Sequence, residues 1–194
     1  MREFIVLGHD APTTADFSLE DLPGSAGRLD VLCRCLGSAL CLSHGMRDDT
    51  KIRVVIQDTL TITVDGATVQ SLSPDERAIA GLLRSAIEAS ETAIGHQSVE
   101  SSPGISVSKL GLEPHLEAAA RESTLVQLHS DGTPVGSAEL AEDSSFVLSD
   151  HHDFEEFEQD LLETHADRRI SLGPNALHAE HAITVAHNQL DRQA

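Results

Sequence analysis

Three charged residues near the start of the chain stand close enough in sequence to act on one ligand. Arg28, Asp30 and Arg34 fall within Leu22–Leu36, LPGSAGRLDVLCRCL. Pro23, Gly24 and Gly27 mark a turn that opens a helix. Free N–H groups at a helix start, with two guanidinium groups beside them, suit a phosphate. A carboxylate there can accept N–H donors from a heterocyclic base. Arg28 and Asp30 are two positions apart and diverge on a helix, so both reach one ligand only near its amino end. A solvated helix start carrying one surface ion pair accounts for the same residues.

A second group lies near the other end, in Arg168–Asn188, RRISLGPNALHAEHAITVAHN. Ile170-Ser171-Leu172 reads as a strand that breaks at Gly173-Pro174 and restarts at Leu177 in a helical pattern. A strand that passes through a Gly-Pro-Asn turn into a helix leaves backbone N–H groups free to face a ligand.

These residues need elements to hold them. Arg2–Leu7 reads as a strand, and the apolar positions Leu29, Leu32, Leu36 and Leu40 place an amphipathic helix over about Gly27–His44. Lys51–Gln57 and Thr59–Val64 are β-rich, and Asp65-Gly66 is a hairpin signal. Ser73, Pro74 and Glu76 spell a helix start with Ser73 as N-cap. The helix runs on through Ile79, Leu82, Leu83, Ala86 and Ile87. His96–Gly104 reads as a loop, Ile105–Val107 as a strand and Pro114–Glu122 as a short helix. The pattern then repeats as strand, loop, helix: Thr124–Leu128, Phe146–Leu148 and Ile170–Leu172, with helices over about Phe154–Thr164 and Leu177–Leu190. This predicts an α/β fold in which an open, mostly parallel sheet carries helices on both faces. Ligands of such sheets bind outside the carboxyl ends of the strands, where the loops Leu128–Gly132, Ser149–His152 and Leu172–Leu177 gather. None is a phosphate loop, since GxGxxG and GxxxxGKS are absent. Their flanking leucines suit a flat apolar heterocycle held by main-chain hydrogen bonds. Ordinary connections between strands and helices would look the same singly.

The composition bounds the setting. The 194 residues are enough for one domain with a proper core. The hydrophobic fraction of 40% and mean hydropathy of −0.14 are those of a soluble globule, with no apolar run long enough for a membrane span or a signal peptide. A cytoplasmic protein is the expectation. The chain carries 32 acidic residues against 13 Lys plus Arg, a net charge of −19. Only Lys51 and Lys109 are lysines. Acid excess, scarce lysine, no Trp and no Tyr suit molar salt, where a Debye length of about 3 Å screens self-repulsion. Total charge then argues little against a nucleic-acid partner, and local arginines matter more. Cys33, Cys35 and Cys41 lie on the one helix in a spacing that fits neither disulfides nor zinc, so reduced thiols are expected. His178, His181 and His187 with Glu180 do not form HExxH, and His151-His152 adds only to a rich histidine count. No metal is expected.

The pairing of LPGSAGRLDVLCRCL with ISLGPNALHAEHAIT, with LHSDG and SDH between them, resembles the archaeal tRNA pseudouridine N1-methyltransferase family of the SPOUT superfamily. The resemblance spans essentially the whole chain. It implies a single SPOUT domain, with residues 1–122 as an RNA-facing half carrying a β-hairpin insert and residues 123–194 as a half tied in a C-terminal trefoil knot. It implies S-adenosyl-L-methionine as cofactor, with Leu128, Ser149, Leu172, Gly173, Pro174, Asn175, Ala176 and Leu177 lining its pocket and Ala182 closing it. It also implies a homodimer and a tRNA substrate methylated at N1 of pseudouridine 54 in the T-loop. Asp30 and Arg28 are the expected catalytic residues, and Arg28, Arg34, Arg168 and Arg169 the expected RNA contacts. Two positions depart from the family. Ser149 stands where glycine is usual, and Ala182 where some relatives have cysteine, which argues against a catalytic thiol. A ribosomal RNA substrate, a knotted protein that only binds RNA, and a small metallohydrolase are the alternatives.

Overall fold

The alternation-free run Phe4-Ile5-Val6-Leu7 belongs to a strand buried on both faces, and that strand is the middle of the fold. The structure is a computed structural model that describes residues 1–70 and 72–193. Its strands are β1 (Arg2–Gly8), β2 (Cys41–Leu42), β3 (Gly45–Met46), β4 (Thr50–Ile56), β5 (Leu60–Asp65), β6 (Val99–Ser102), β7 (Ile105–Ser108), β8 (Thr124–Pro134), β9 (Ser144–Ser149) and β10 (Arg168–Ser171). Its α-helices are α1 (Leu22–Ser25), α2 (Leu29–Leu40), α3 (Glu76–Ser90), α4 (Glu113–Glu122), α5 (Glu156–His165) and α6 (Ala179–Asp191). Eight strands form one sheet in the order β10-β8-β9-β1-β4-β5-β7-β6. The five from β10 to β4 are mutually parallel, and β5, β7 and β6 extend the sheet in antiparallel fashion.

Successive residues of β1 point to opposite faces, and each face has its own core. Phe4 and Val6 pack with Leu29, Leu32 and Leu36 of α2, Ile79 and Leu83 of α3, and Ile183 and Ala186 of α6. Ile5 and Leu7 pack with Leu116 of α4, Leu162 of α5, and Phe154 just before α5. The expected open, mostly parallel sheet with helices on both faces is therefore what the chain forms.

Several boundaries differ from the sequence reading, each for a local reason. The helix expected over Gly27–His44 begins at Leu29 because Gly27 and Arg28 take left-handed φ of 49° and 59°. It stops at Leu40, where β2 and β3 form a small ladder, so Cys41 leaves the helix while Cys33 and Cys35 stay buried on it. Burial pushes the Cys33 thiol up to about 12, which leaves it inert at neutral pH. The hairpin turn lies at Gln57-Asp58, both with positive φ (48° and 47°), as a type I′ turn requires. It does not lie at Asp65-Gly66. Asp65-Gly66 is a turn that leads out of β5, and Gly66 is also needed for contact, since a Cβ there would stand 2.0 Å from the Arg47 carbonyl oxygen. The N-cap of α3 is Asp75, which accepts from the Ala78 N–H at 2.8 Å, rather than Ser73. Residues Val99–Ser102, read as loop, add β6 to the outer edge.

The strand β8 does not end at Leu128. It pairs with β10 in two blocks, Val126 and Gln127 with Arg168 and Arg169, then Thr133 and Pro134 with Ile170 and Ser171. Leu128–Gly132 is a bulge within β8 that has no partner in β10. A Cβ on Gly132 would lie 2.5 Å from the Ile170 backbone, so this crossing tolerates no side chain.

Two outcomes follow from this packing. Gly132→Ala should lower stability by about 2–3 kcal/mol, since backbone must move to admit the methyl; a urea midpoint in molar KCl reads it. Stability should also fall with acid. His115 and His187 are buried as neutral rings, and burial with a neighbouring arginine holds each at about 4. In His187 Nδ1 faces the Arg2 guanidinium, which can only donate, so Nε2 donates to the Ala39 carbonyl. Each folded value lies below the ordinary 6.5, so the stability they contribute is complete above pH 6.5 and is lost as pH falls toward 4. Chemical denaturation across that range checks the sign.

Candidate functional site

At the carboxyl ends of β8, β9 and β10 the three loops enclose a cleft of about 400 Å³. Its third wall is the irregular segment between β10 and α6. From Leu172 to Leu177 no residue makes a backbone–backbone hydrogen bond among the described residues. Gly173 to Leu177 are exposed, so these groups meet solvent and are free to serve as donors and acceptors for a ligand in the cleft. Gly173 faces open space, and Ser171 Oγ donates to its carbonyl at 3.0 Å, fixing the turn.

Of the residues expected to line a cofactor pocket, Leu128, Ser149, Leu172, Gly173, Asn175, Ala176, Leu177 and Ala182 do line this cleft. Pro174 does not; it shapes the turn between two lining residues. Asp150 lies in a loop expected at the site, but sequence reasoning gave it no role, and it missed Leu148, Asp153, Phe154 and Ile170, among others. The apolar ones were legible as strand ends, and the acidic ones carried no signal of their own. The lining holds two aspartates and neither Lys nor Arg, which favours a ligand with positive charge.

The second loop is held from behind. Ser149 Oγ donates to the His152 carbonyl at 2.5 Å, a tie that glycine could not make. Asp150 accepts from the His9 N–H, from His9 Nδ1 at 2.9 Å and from the His152 N–H. Glu158 faces the other ring nitrogen of His9 at 3.1 Å. Hydrogen bonds to Asp150 and Glu158 raise His9 to about 10 despite burial, so it is an imidazolium between two carboxylates.

Arg28, Asp30 and Arg34 are brought together. Asp30 is buried at 3% exposure, and three N–H groups reach it: Arg28 Nε at 3.0 Å, Arg28 Nη2 at 3.2 Å and Arg34 Nη1 at 2.8 Å. Burial works against its charge, but the bonds from both arginines outweigh that and hold the carboxyl below the usual range. Arg34 Nε donates at 3.0 Å to Glu180, at the start of α6 between the cleft residues Ala179 and Ala182. Sequence reasoning missed this fourth member, which is far from Arg34 along the chain. Arg28 shows where strain is stored, since a left-handed φ at a non-glycine residue costs of order 1–3 kcal/mol.

Arg168 and Arg169 are elsewhere. They open β10, at the end of the strand away from the cleft, with Arg168 on the Glu139 carbonyl and Arg169 on the Gln127 side chain. The histidines of α6 do not converge either: His187 is buried against Ala39 and Glu180 is taken by Arg34. His151 and His152 instead meet Asp10, all three offering ligand atoms within 4.8 Å of one another.

Residues 1–194 match a family described as "Putative SAM-dependent RNA methyltransferase". The chain is 56% identical over 191 residues to the tRNA (pseudouridine(54)-N(1))-methyltransferase of Haloferax volcanii, covering 98% of this chain and 96% of that one. It is 54% identical, with the same coverage, to the protein of that name from Haloarcula marismortui. The crystal structure of Archaeoglobus fulgidus Nep1 bound to S-adenosylhomocysteine superposes with a TM-score of 0.64 at 14% identity, covering 98% of this chain and 97% of that one. No described helix is long and apolar enough to cross a membrane.

Arg34→Ala should strand two buried carboxylates, Asp30 and Glu180. A loss of about 2–3 kcal/mol is expected, below that of a fully enclosed pair because Arg34 is one-third exposed. Arg34→Ala with Asp30→Asn and Glu180→Gln should recover part of it, as measured by denaturation midpoints.

Proposed function

This chain belongs to the family of S-adenosylmethionine-dependent RNA methyltransferases, and we propose that it methylates N1 of pseudouridine 54 in the T-loop of tRNA. The observation that carries the reading is the cleft, where the segment from Leu172 to Leu177, free of main-chain to main-chain hydrogen bonds, stands beside the Arg28–Asp30–Arg34 cluster's partner helix. The named activity of relatives more than half identical over nearly the whole chain supports the substrate.

The residues present fit S-adenosyl-L-methionine. Leu128, Leu172, Leu177 and Ala182 offer apolar walls for a flat base, and the main chain of Leu172, Gly173, Asn175 and Ala176 offers its hydrogen bonds, with Pro174 setting the turn. Ser149 with Asp150 and Asp153 supplies a polar, acidic side that suits a cationic sulfonium. When bound, the cofactor supplies a methyl group already activated by positive sulfur. The protein's part is to align N1 with that methyl.

Arg28 and Arg34 clamp the phosphates of the substrate nucleotide, and Asp30 faces N1–H. Asp30 is too weak a base to remove the proton from a neutral ring nitrogen first. Once N1 begins to bond carbon, its hydrogen becomes strongly acidic, and an ionised carboxylate then accepts it. Asp30 therefore acts late, while Arg28 keeps Nε and Nη2 on the carboxylate and turns Nη1 to the phosphate. Arg168 and Arg169 contact a more distant part of the RNA from the edge strand. The same reading takes residues 1–122 as the RNA-facing half, residues 123–194 as the knotted half, a cytoplasmic setting and a homodimer. The tight passage of Ile170 past Gly132 supports the knot, and Leu177, 42% exposed at the cleft rim, supports a covered face.

Incubation in molar KCl with S-adenosylmethionine and pseudouridine-containing tRNA, followed by nucleoside mass spectrometry, tests the proposal. N1-methylpseudouridine should appear, and should be absent when uridine replaces pseudouridine. Folded protein that yields none would overturn it, in favour of a ribosomal substrate or binding alone. Asp30→Ala should lower the single-turnover rate about 100-fold, at the lower end for a proton-accepting group, with S-adenosylhomocysteine affinity retained.

A further inference from the structure

The loop that walls the cofactor cleft also carries a cluster that methyl transfer does not use. His152 Nε2 stands 2.7 Å and His151 Nε2 3.4 Å from the same oxygen, Oδ2 of Asp10. All three side chains reach solvent. Ligands about 2.0–2.2 Å from a zinc-class ion lie about 2.9–3.4 Å from each other at tetrahedral or octahedral angles, so these separations need only small adjustment to hold one. Two imidazoles and a carboxylate are the donor set of such ions, whereas magnesium and calcium prefer oxygen alone.

A second observation points the same way. A histidine that binds a metal through one ring nitrogen commonly turns the other toward a carboxylate, which sets its tautomer and orientation. His151 does this: its Nδ1 stands 3.4 Å from Asp150 Oδ2, with Nε2 toward Asp10. Asp150 is itself anchored by His9. The His152 N–H bonds Asp150, and the His152 carbonyl accepts from Ser149. On the other side, Gly27 lets the chain at Asp10 pass so closely that a Cβ would meet the Asp10 carbonyl oxygen at 1.7 Å. Both segments that supply the three ligand atoms are thus held in place before any ion arrives.

We propose that Asp10, His151 and His152 form a site for one divalent ion of the zinc class at the mouth of the cleft, and that its open coordination positions take a phosphate oxygen of the RNA. The cleft lining has no Lys or Arg. Arg28 and Arg34 lie outside it and share their charge with Asp30 and Glu180, which leaves only part of each guanidinium for phosphate. In a chain of net charge −19, a bound dication supplies the positive charge that this rim lacks. At molar salt, attraction at a distance is screened within about 3 Å, whereas a direct metal–phosphate bond acts at contact. The phosphate half of the proposal rests on the RNA-methyltransferase reading; the ion half does not.

The test uses the full chain, stripped with chelator and titrated with Zn²⁺ in molar KCl against a chromophoric competitor, without RNA or cofactor. One ion per chain should bind, with affinity at least tenfold lower in Asp10→Asn/His151→Asn and unchanged in His178→Asn/His181→Asn. Co²⁺ on the unaltered protein should give the visible absorption bands of imidazole–carboxylate coordination, a readout that does not depend on any variant folding. Equal zinc affinity in the first variant, or equal loss in both, would overturn the site. In filter binding, tRNA affinity should rise several-fold with Zn²⁺ for the unaltered chain and not for Asp10→Asn/His151→Asn. Zinc bound with no gain in RNA affinity would overturn the phosphate role alone, and a chain that binds zinc but methylates no RNA would separate this site from the proposed function.

Discussion

A carboxylate buried as deeply as Asp30 can stay charged only if cations meet it, and much of the site follows from that requirement. Arg28 satisfies one side by taking a strained left-handed backbone at the mouth of α2. Arg34, one turn further along, satisfies the other. Arg34 has a second nitrogen to place, and Glu180 at the start of α6 receives it. The pairing therefore ties the helix that carries the charged cluster to the helix that closes the cleft. One oxygen of Glu180 stays without a hydrogen-bond partner among the described residues, so the network has an acceptor to spare where the two helices meet. Replacing a partner would leave a buried charge exposed to its full desolvation cost, which is why the cluster behaves as a unit.

The cleft has a different origin. It exists because a four-residue strand, β10, ends where it leaves the sheet, and the chain then runs seven residues before a helix can begin. Gly173 and Pro174 prevent the helix from starting early, and the main chain between them and His178 keeps its hydrogen-bonding capacity for something else. The opposing bulge at Leu128–Gly132 is pushed outward because Ile170 occupies the place where it would otherwise pair. Short strand, broken turn and displaced bulge are one arrangement seen from three sides.

Most of the fold was legible in the chain. The strand ends near Leu148 and Leu172, with the helical periods that follow them, located the cleft, although the strand expected to stop at Leu128 runs on to Pro134. The apolar runs on both faces of β1 announced a sheet covered twice. Local turn chemistry was less legible. The I′ turn at Gln57-Asp58 lacks the glycine that usually marks one, and its geometry is supported from afar by the Leu112 N–H on Asp58 at 2.6 Å. Asp65-Gly66 does form a turn, with the Thr68 N–H on the Asp65 carbonyl at 3.1 Å, but it leads out of β5 and joins no hairpin, and Gly66 also allows a close contact there. At the site, residues joined along one helix were found, as with Asp30 and Arg34. Those joined only in space were not: Glu180 to Arg34, His9 to Asp150, and Asp10 to the two histidines each link distant segments, and no spacing rule reaches them.

The central claim is that Asp30 remains ionised in its clamp and receives the proton only after bond formation to N1 is under way. The single-turnover rate of methyl transfer, measured between about pH 6.5 and 8.5 with saturating tRNA and S-adenosylmethionine, tests it most directly. The account predicts a flat profile, because Asp30 is already charged and N1–H is still neutral throughout. A rate that rises about tenfold per pH unit would mean that N1 loses its proton before attack, and would contradict it.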